Sequence, residues 1–262
     1  MHIRRKVIQD WWPTTACLDI VEGPIEVVAE AVHAEVSRWG RKVPEDSAPK
    51  TWWDRARSTI SRFLGHNNVV PDIRVVTSWE TFPNLDAAFR AAPADFPNVP
   101  SFFLVLPTHS KWSVLWNNSF LCDGYDSLCF CLTENHHLTT LHWFAHDKVA
   151  ANKQPGSSFS HRKWANSSVV LRTVYVGQND RRWHFEQYGP PLPEEDRGLY
   201  KAANKRDRLN EHHMVALLGR LGAYPWLEEF YALPTKPCYV LRKEGFPPSI
   251  PRRTRDEVLR AE

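Results

Sequence analysis

The segment from residue 112 to residue 147 holds the side chains whose types and spacing could perform chemistry. It contains three of the five cysteines and four of the twelve histidines in the 262-residue chain. A cysteine thiolate beside an imidazole can act as a nucleophile with its general base, and the same side chains are zinc ligands. A thiol hydrolase and a metal-dependent hydrolase are therefore the two chemistries to weigh against simple core packing.

Zinc binding is not favoured by the spacing of these residues. Zinc prefers four nitrogen or sulfur ligands, usually presented as close pairs. His142 and His146 have the spacing that would bring two imidazoles together on a helix, but Trp143 occupies the position of Glu in the metalloprotease pattern. The stretch LTTLHWF is more typical of a strand, in which residues four apart are separated by about 13 Å. We therefore expect no metal, and without a glycine-rich phosphate loop in the sequence we expect no other cofactor.

A thiol hydrolase stays open because its catalytic residues need only be neighbours in the folded chain. The candidate nucleophiles, bases and orienting acids are Cys122 and Cys129, His142 and His146, and Asp123 and Asp147. Cys129 stands between two apolar residues, and a thiol buried among apolar side chains has a raised pKa and is inert. Because free cysteine is among the most buried residue types, we predict core packing for all five cysteines.

The composition is that of an ordinary globular chain with many aromatic rings. Hydrophobic residues make up 42% and charged residues 24%, with twelve Trp and thirteen Phe, so we expect a packed core without disulfides. A net charge of +3 from 33 basic and 30 acidic residues is too balanced to hold nucleic acid through phosphate neutralisation. The densest basic runs, residues 201–208 and 252–260, are predicted to be solvated helix faces. A nucleic-acid-associated role through residues 201–208 is a weaker alternative.

The cysteine pattern and the hydropathy indicate a cytoplasmic protein. Five cysteines without paired spacing fit reduced thiols. The start of the sequence, MHIRRKVIQDWWPTT, is basic but lacks the apolar region of an export signal. No window approaches the roughly 20 continuous apolar residues of a membrane span. We therefore expect no membrane association.

Residue periodicity predicts alternating strands and helices. Runs of β-branched and aromatic residues bounded by turn residues predict strands at residues 15–21, 73–76, 101–106, 112–116, 138–144, 168–176, 182–187 and 238–241. Apolar residues at helical spacing predict helices at residues 25–38, 52–64, 85–92, 125–132, 196–203 and 210–221. Residues 148–158 are predicted to be a polar loop. The last two strands before residue 188 form a predicted hairpin.

These elements predict an α+β fold with a mixed or antiparallel sheet and flanking helices. Residues 91–100 carry three prolines and are the best candidate for a boundary. We therefore predict either two related α+β lobes, residues 1–98 and 99–262, or one compact domain.

Tryptophans provide candidate anchors for a protein partner, because aromatic side chains are enriched at interfaces as well as in cores. In a Trp-Trp pair on a strand one ring faces inward and the other outward. The outward ring is then either a lid over the core or an interface anchor. The candidate partner-binding residues are Trp52, Trp53, Trp112 and Trp116.

Two stretches resemble a known class of proteins. Residues 112–133 read W-S-V-L-W-N-N-S and then C-D-G-Y-D-S-L-C. Residues 169–221 contain a hairpin ending R-W-H-F-E-Q-Y-G-P-P-L-P-E-E, followed by a K-R-D-R-L-N run. This arrangement resembles immunity proteins of bacterial polymorphic-toxin and type VI secretion systems. The likeness covers less than half of the chain and includes no catalytic signature.

The resemblance implies an antitoxin that binds one cognate effector toxin in the cytoplasm and blocks its active site or the access of its substrate. Inhibition would rest on steric and electrostatic complementarity, with no chemistry of its own. Inhibitors of basic nucleases tend to be acidic, whereas this chain has an isoelectric point of about 8.6. We therefore expect the cognate toxin not to be a strongly basic nuclease.

Overall fold

The structure is a computed structural model that describes residues 11, 15, 17–39, 73–121, 125–146, 155–179, 181–245 and 250–259. Its strands are β1 (Cys17–Glu22), β2 (Arg74–Glu80), β3 (Asp95–Pro97), β4 (Phe102–Leu106), β5 (Trp112–Asn117), β6 (Thr140–His146), β7 (Gly156–Ala165), β8 (Ser168–Asn179), β9 (Arg182–Tyr188), β10 (Cys238–Glu244) and β11 (Arg252–Thr254). The described helices are α1 (Ile25–Trp39), α2 (Leu85–Arg90), α3 (Asp126–His136), α4 (Glu211–Arg220) and α5 (Arg255–Leu259).

Nine of the described strands form one sheet in the order β2-β10-β4-β5-β1-β6-β7-β8-β9, and β3 pairs separately with β11. Every neighbouring pair is antiparallel. The α+β fold is therefore confirmed, with an antiparallel sheet. Strands from both sides of residue 98 alternate in this sheet, since β1 lies between β5 and β6 and β10 lies between β2 and β4. The proline-rich residues 91–100 thus do not separate two sheets.

Helices cover both faces of the main sheet. Helices α2, α4 and α5 contribute to the larger core, which includes Phe89, Met214 and Val258. On the other face α1 and α3 pack through residues such as Val32 and Leu132. Burying apolar surface on both faces is the main source of stability of such layered folds.

Several predicted elements are confirmed because local signals and packing agree. The predicted helix at residues 25–38 is α1, whose valines at helical spacing face the core. Asn210 caps α4, its Oδ1 accepting a hydrogen bond from the backbone N–H of His213 at 3.1 Å. The predicted hairpin is the antiparallel pair β8–β9.

Two predictions from local pattern are wrong. The helix expected at residues 196–203 is only a short 3₁₀ turn, Leu199–Lys201, because the acid Glu195 is turned into a buried ion pair with Arg172 instead of lying in a helical first turn. The last residues of the predicted loop at residues 148–158 belong to strand β7, which the sequence did not predict. Strand β7 was missed because polar residues are buried on the face opposite Phe159, namely Ser158, Ser160 and Arg162.

No helix in the described part of the chain is long and apolar enough to cross a membrane.

Candidate functional site

Strand register brings an acid and an imidazole together beneath α3. Asp19 on β1 lies directly opposite His142 on β6. Asp19 Oδ1 accepts a hydrogen bond from His142 Nδ1 at 2.7 Å, and Asp19 Oδ2 accepts one from the backbone N–H of Tyr125 at 2.8 Å. Tyr125 immediately precedes α3, so the sheet supplies the carboxylate at the helix N-terminus, where negative charge is stabilised.

Cys17 completes this group. It lies two residues before Asp19 on the same face of β1, and its Sγ is 3.7 Å from His142 Nε2 and 3.9 Å from His142 Nδ1. The order sulfur, imidazole and carboxylate is that of a catalytic triad, in which the acid orients the imidazole. The sulfur is almost equally far from both ring nitrogens, however, so it is not in line with a single N–H bond.

The charge state of His142 is set by its two partners. Burial by itself lowers the pKa of an imidazole, but the Coulombic interaction with Cys17 and the hydrogen bond and charge of Asp19 raise the pKa of His142 well above its usual value. A protonated imidazole favours the thiolate form of a neighbouring cysteine. A protonated His142 would therefore place a positive charge next to the sulfur of Cys17.

Solvent hardly reaches this group in the described structure. The exposed fractions are 3% for Cys17, 1% for Asp19 and 8% for His142. Nucleophilic catalysis requires a substrate carbon within contact distance of the sulfur, which this burial does not provide. The arrangement has the residue types of a catalytic site without the exposure of one.

The sequence candidates fall into three groups. His142 joins the cluster, whereas Cys129 lies fully buried on α3, where burial and the charge of Asp19 raise the pKa of its thiol. The prediction that Cys129 is buried is thereby confirmed. His146 lies on β6, but its side chain is outside the described structure. Also outside the described residues lie Cys122, Asp123, Asp147, Trp52 and Trp53.

The sequence reading missed Cys17 because 125 residues separate it from His142. The spacing of Cys17 and Asp19 was an available signal, since residues two apart on a strand share a face. It could not identify the partner strand.

Trp112 and Trp116 lie in the core, each 2% exposed. The indole N–H of Trp112 donates to the backbone oxygen of Leu221 at 2.9 Å. Trp116 packs among aromatic rings that include Phe89, at 4.9 Å between ring centres. Neither tryptophan is available as a surface anchor in this structure.

A polar row crosses the sheet from the buried cluster to the surface. Register places Asp19, His142, Ser160, Thr173 and Tyr188 opposite one another on β1, β6, β7, β8 and β9. The hydroxyls of Ser160 and Thr173 are 3.2 Å apart. The row ends at Tyr188, which is 69% exposed.

An open pocket of about 370 Å³ lies beside this row, between α3 and the ends of β7, β8 and β9. Arg162 on β7 lines the pocket and is 5% exposed. Its Nη2 donates to both carboxylate oxygens of Asp126, each at 2.7 Å. Its Nε and Nη1 are buried without a hydrogen-bond partner among the described residues. The other lining residues are Phe130, Val169, Val170, Leu171, Tyr188, Gly189 and Pro190.

The outer wall of this pocket is held by a buried ion pair. The carboxylate of Glu195 accepts hydrogen bonds from Arg172 Nε and Nη2 at 2.8 and 2.7 Å, and Arg172 Nη1 donates to the backbone oxygen of Gly189 at 3.1 Å. Gly189 has φ +80°, and a Cβ there would lie 1.8 Å from the backbone oxygen of Leu171. The bend after Tyr188 therefore requires glycine.

Metal binding finds no support within the described ranges, where no group of three or more His, Cys, Asp or Glu side chains could hold an ion. The described cysteines Cys17, Cys129, Cys131 and Cys238 are buried and form no disulfide with one another. Comparisons of the chain with protein-family models, with curated proteins and with solved structures found no match.

Proposed function

We propose that this chain is an immunity protein that binds a bacterial effector toxin and blocks it sterically. One observation supports this proposal above others. The two stretches that resemble immunity proteins, residues 112–133 and 169–221, are distant in sequence but line the same pocket. Phe130 comes from the first stretch, and Leu171 and Tyr188 come from the second.

The surface around the pocket has the properties of a protein-binding site. Tyr188 is exposed beside a concave, largely apolar wall, and tyrosine is among the residues that most often anchor interfaces. The buried pair of Arg172 and Glu195 holds the wall in one conformation, which reduces the entropy lost on binding. Binding at such a preformed surface needs no chemistry from this chain.

The proposal is tested by protection of living cells. If the gene directly upstream encodes a toxin domain, that domain is expressed in bacteria with and without this chain, and growth is measured. We expect this chain to restore growth and to co-purify with the toxin domain.

The variant Tyr188→Ala is expected to weaken the complex by at least tenfold, which is the scale of an aromatic interface anchor. Tyr224→Ala is the matched control, because Tyr224 is also an exposed tyrosine but packs against Trp226 and Phe230, away from the pocket. Growth arrest in the presence of this chain, or a complex equally sensitive to both variants, contradicts the proposal.

A thiol hydrolase is a second candidate function, favoured by the contacts among Cys17, His142 and Asp19. In that reaction Cys17 would attack an acyl carbon, and His142 would pass a proton to the leaving group while Asp19 held the imidazole. The burial of all three side chains makes this candidate the weaker one.

The two candidates differ in their response to 4-nitrophenyl acetate. A hydrolase releases nitrophenolate in a burst of about one equivalent per chain, and the burst is lost in Cys17→Ala. The control Cys129→Ala keeps the burst, because the thiol that it removes is buried and has a raised pKa. An immunity protein gives no burst with any of the three proteins.

A further inference from the structure

We infer that the pocket beside Arg162 binds a carboxylate, namely an acidic side chain presented by the protein partner. This inference rests on the proposed function for the identity of the partner. The binding chemistry itself rests on Arg162 and the walls around it.

The guanidinium of Arg162 has unused binding capacity. A guanidinium carries five N–H donors, and the contact with Asp126 engages only Nη2. Nε and Nη1 are buried and find no acceptor in the part of the chain that the structure describes. Buried donors are nearly always paired in folded proteins. An acceptor supplied by a bound partner would satisfy these two donors once the guanidinium turns from Asp126 towards the pocket.

The walls of the pocket favour one side chain over a larger ligand. Phe130, Leu171 and Pro190 present apolar surface around the charged group. Apolar walls strengthen the interaction between a guanidinium and a carboxylate because they exclude water. A volume of about 370 Å³ lies at the small end of the range of ligand sites, roughly 300–1,000 Å³.

The local charge favours a carboxylate over a phosphate. The lining residues include one cation, Arg162, and its charge is partly compensated by Asp126. Glu186 is exposed on the same face of β9 as Tyr188, which adds negative charge nearby. A dianion would meet more repulsion here than a single carboxylate does.

Asp126 competes with the incoming carboxylate for the guanidinium of Arg162. Removing the negative charge of Asp126 should therefore change carboxylate affinity in a known direction. The side chain of Asp126 is 49% exposed at the rim, whereas that of Arg162 is 6% exposed. Replacing Asp126 by Asn keeps the shape and removes the competing charge. Carboxylate affinity should therefore rise in Asp126→Asn and fall in Arg162→Met.

The probes are phenylacetate and its neutral isostere phenylacetamide, followed by the blocked dipeptides acetyl-Phe-Glu-amide and acetyl-Phe-Gln-amide. Titration of the full chain is followed by amide chemical shifts. We expect phenylacetate to bind at least tenfold more tightly than phenylacetamide, and the Glu dipeptide more tightly than the Gln dipeptide. Affinity for phenylacetate should fall at least tenfold in Arg162→Met and rise about threefold or more in Asp126→Asn.

Arg182→Met is the matched control, because Arg182 is an exposed arginine on the same face of β9. It should leave phenylacetate affinity unchanged. If Arg162→Met does not fold, Asp126→Asn and the two acid–amide comparisons decide the outcome. Equal binding of acid and amide overturns the site, and binding of phenylacetate but not of the Glu dipeptide overturns the assignment to a protein side chain.

The inference and the proposed function fail separately. If this chain protects cells from a toxin but no carboxylate binds, only the inference is wrong. If the probes bind but no toxin is neutralised, the pocket is a carboxylate site and the immunity proposal falls.

Discussion

Replacing Glu195 by Gln tests whether the buried ion pair with Arg172 holds the outer strands. The side chains of Arg172 and Glu195 are 3% and 0% exposed. The carboxylate also accepts hydrogen bonds from the backbone N–H of Leu192 at 2.7 Å and from the hydroxyl of Tyr200 at 2.8 Å. Each carboxylate oxygen of Glu195 accepts two hydrogen bonds. Gln has the size of Glu, but its side-chain NH2 group replaces one of these oxygens and cannot accept them.

The expected loss follows from leaving the Arg172 charge buried without a counter-charge. Breaking a buried pair by changing one partner costs about 3–5 kcal/mol. For a chain of this size each kcal/mol lowers Tm by roughly 2–4 °C, so Tm should fall by on the order of 10 °C.

The pH dependence of stability provides an independent check. Burial raises the pKa of Glu195, but hydrogen bonds from Arg172, Leu192 and Tyr200 outweigh burial and bring the pKa below its ordinary value of 4.5. The contribution of this pair to the free energy of unfolding is therefore complete above about pH 4.5 and is lost as the pH falls further. Glu195→Gln should show a correspondingly weaker fall in stability below pH 4.5.

Thermal unfolding by circular dichroism at pH 7 measures the effect, with Glu186→Gln as control. Glu186 is an exposed glutamate on the neighbouring strand β9, so its replacement should change the free energy of unfolding by less than about 0.5 kcal/mol. The double variant Arg172→Met with Glu195→Leu should recover much of the loss, because two apolar side chains leave no buried charge. A Tm for Glu195→Gln equal to that of the unaltered protein would refute the reasoning.

Three further outcomes are expected. Burial lowers the pKa of Lys243 to about 7, so the unfolded chain binds a proton that the folded chain lacks between pH 7 and the ordinary pKa, and stability should rise with pH across that window. Lys243→Met should abolish that rise and stabilise the fold at pH 7 by about 1–3 kcal/mol in urea unfolding. Asn118→Ala should cost about 2–4 kcal/mol in the same assay, because Asn118 Oδ1 accepts from the backbone N–H groups of Ser101 and Phe102 at 3.0 and 2.9 Å; a loss below 0.5 kcal/mol contradicts this. Ellman's reagent should modify the buried thiols of Cys129, Cys131 and Cys238 only after unfolding. Fast labelling of any of the three in the native protein would contradict their burial.

Much of the fold was predictable because its signals are local. The valines of α1, the Asn210 cap of α4 and the short β-prone runs are each readable within a few residues. Strand β7 was not predictable in this way, because one of its buried faces carries Ser158, Ser160 and Arg162 where a strand usually has apolar residues. Arg162 finds its partner Asp126 on α3, and Ser160 finds Thr173 on β8. Such partners cannot be predicted from the sequence of the strand itself.

The candidate sites were less predictable than the fold. The sequence indicated His142 as a residue for chemistry, but it paired His142 with thiols nearby in the chain, whereas the structure brings it to Cys17 and Asp19 on β1. Arg162 carried no signal, since one arginine in a polar stretch resembles any solvated residue. Its significance comes from burial, which depends on elements far away in sequence.

The sequence by itself determined the α+β class, the positions of most helices and strands, and the burial of the Cys129 thiol, because periodicity, capping and composition act over short distances. Apart from the β8–β9 hairpin, which the sequence predicts, only the tertiary structure decided which strands are neighbours. The sheet order places β1 between β5 and β6, and so chooses which residue faces His142. The strand register also aligns the polar row that begins at Asp19 and ends at Tyr188, beside the Arg162 pocket. Contacts between strands far apart in the chain are set by packing of the whole sheet, which leaves no mark in any single stretch of sequence.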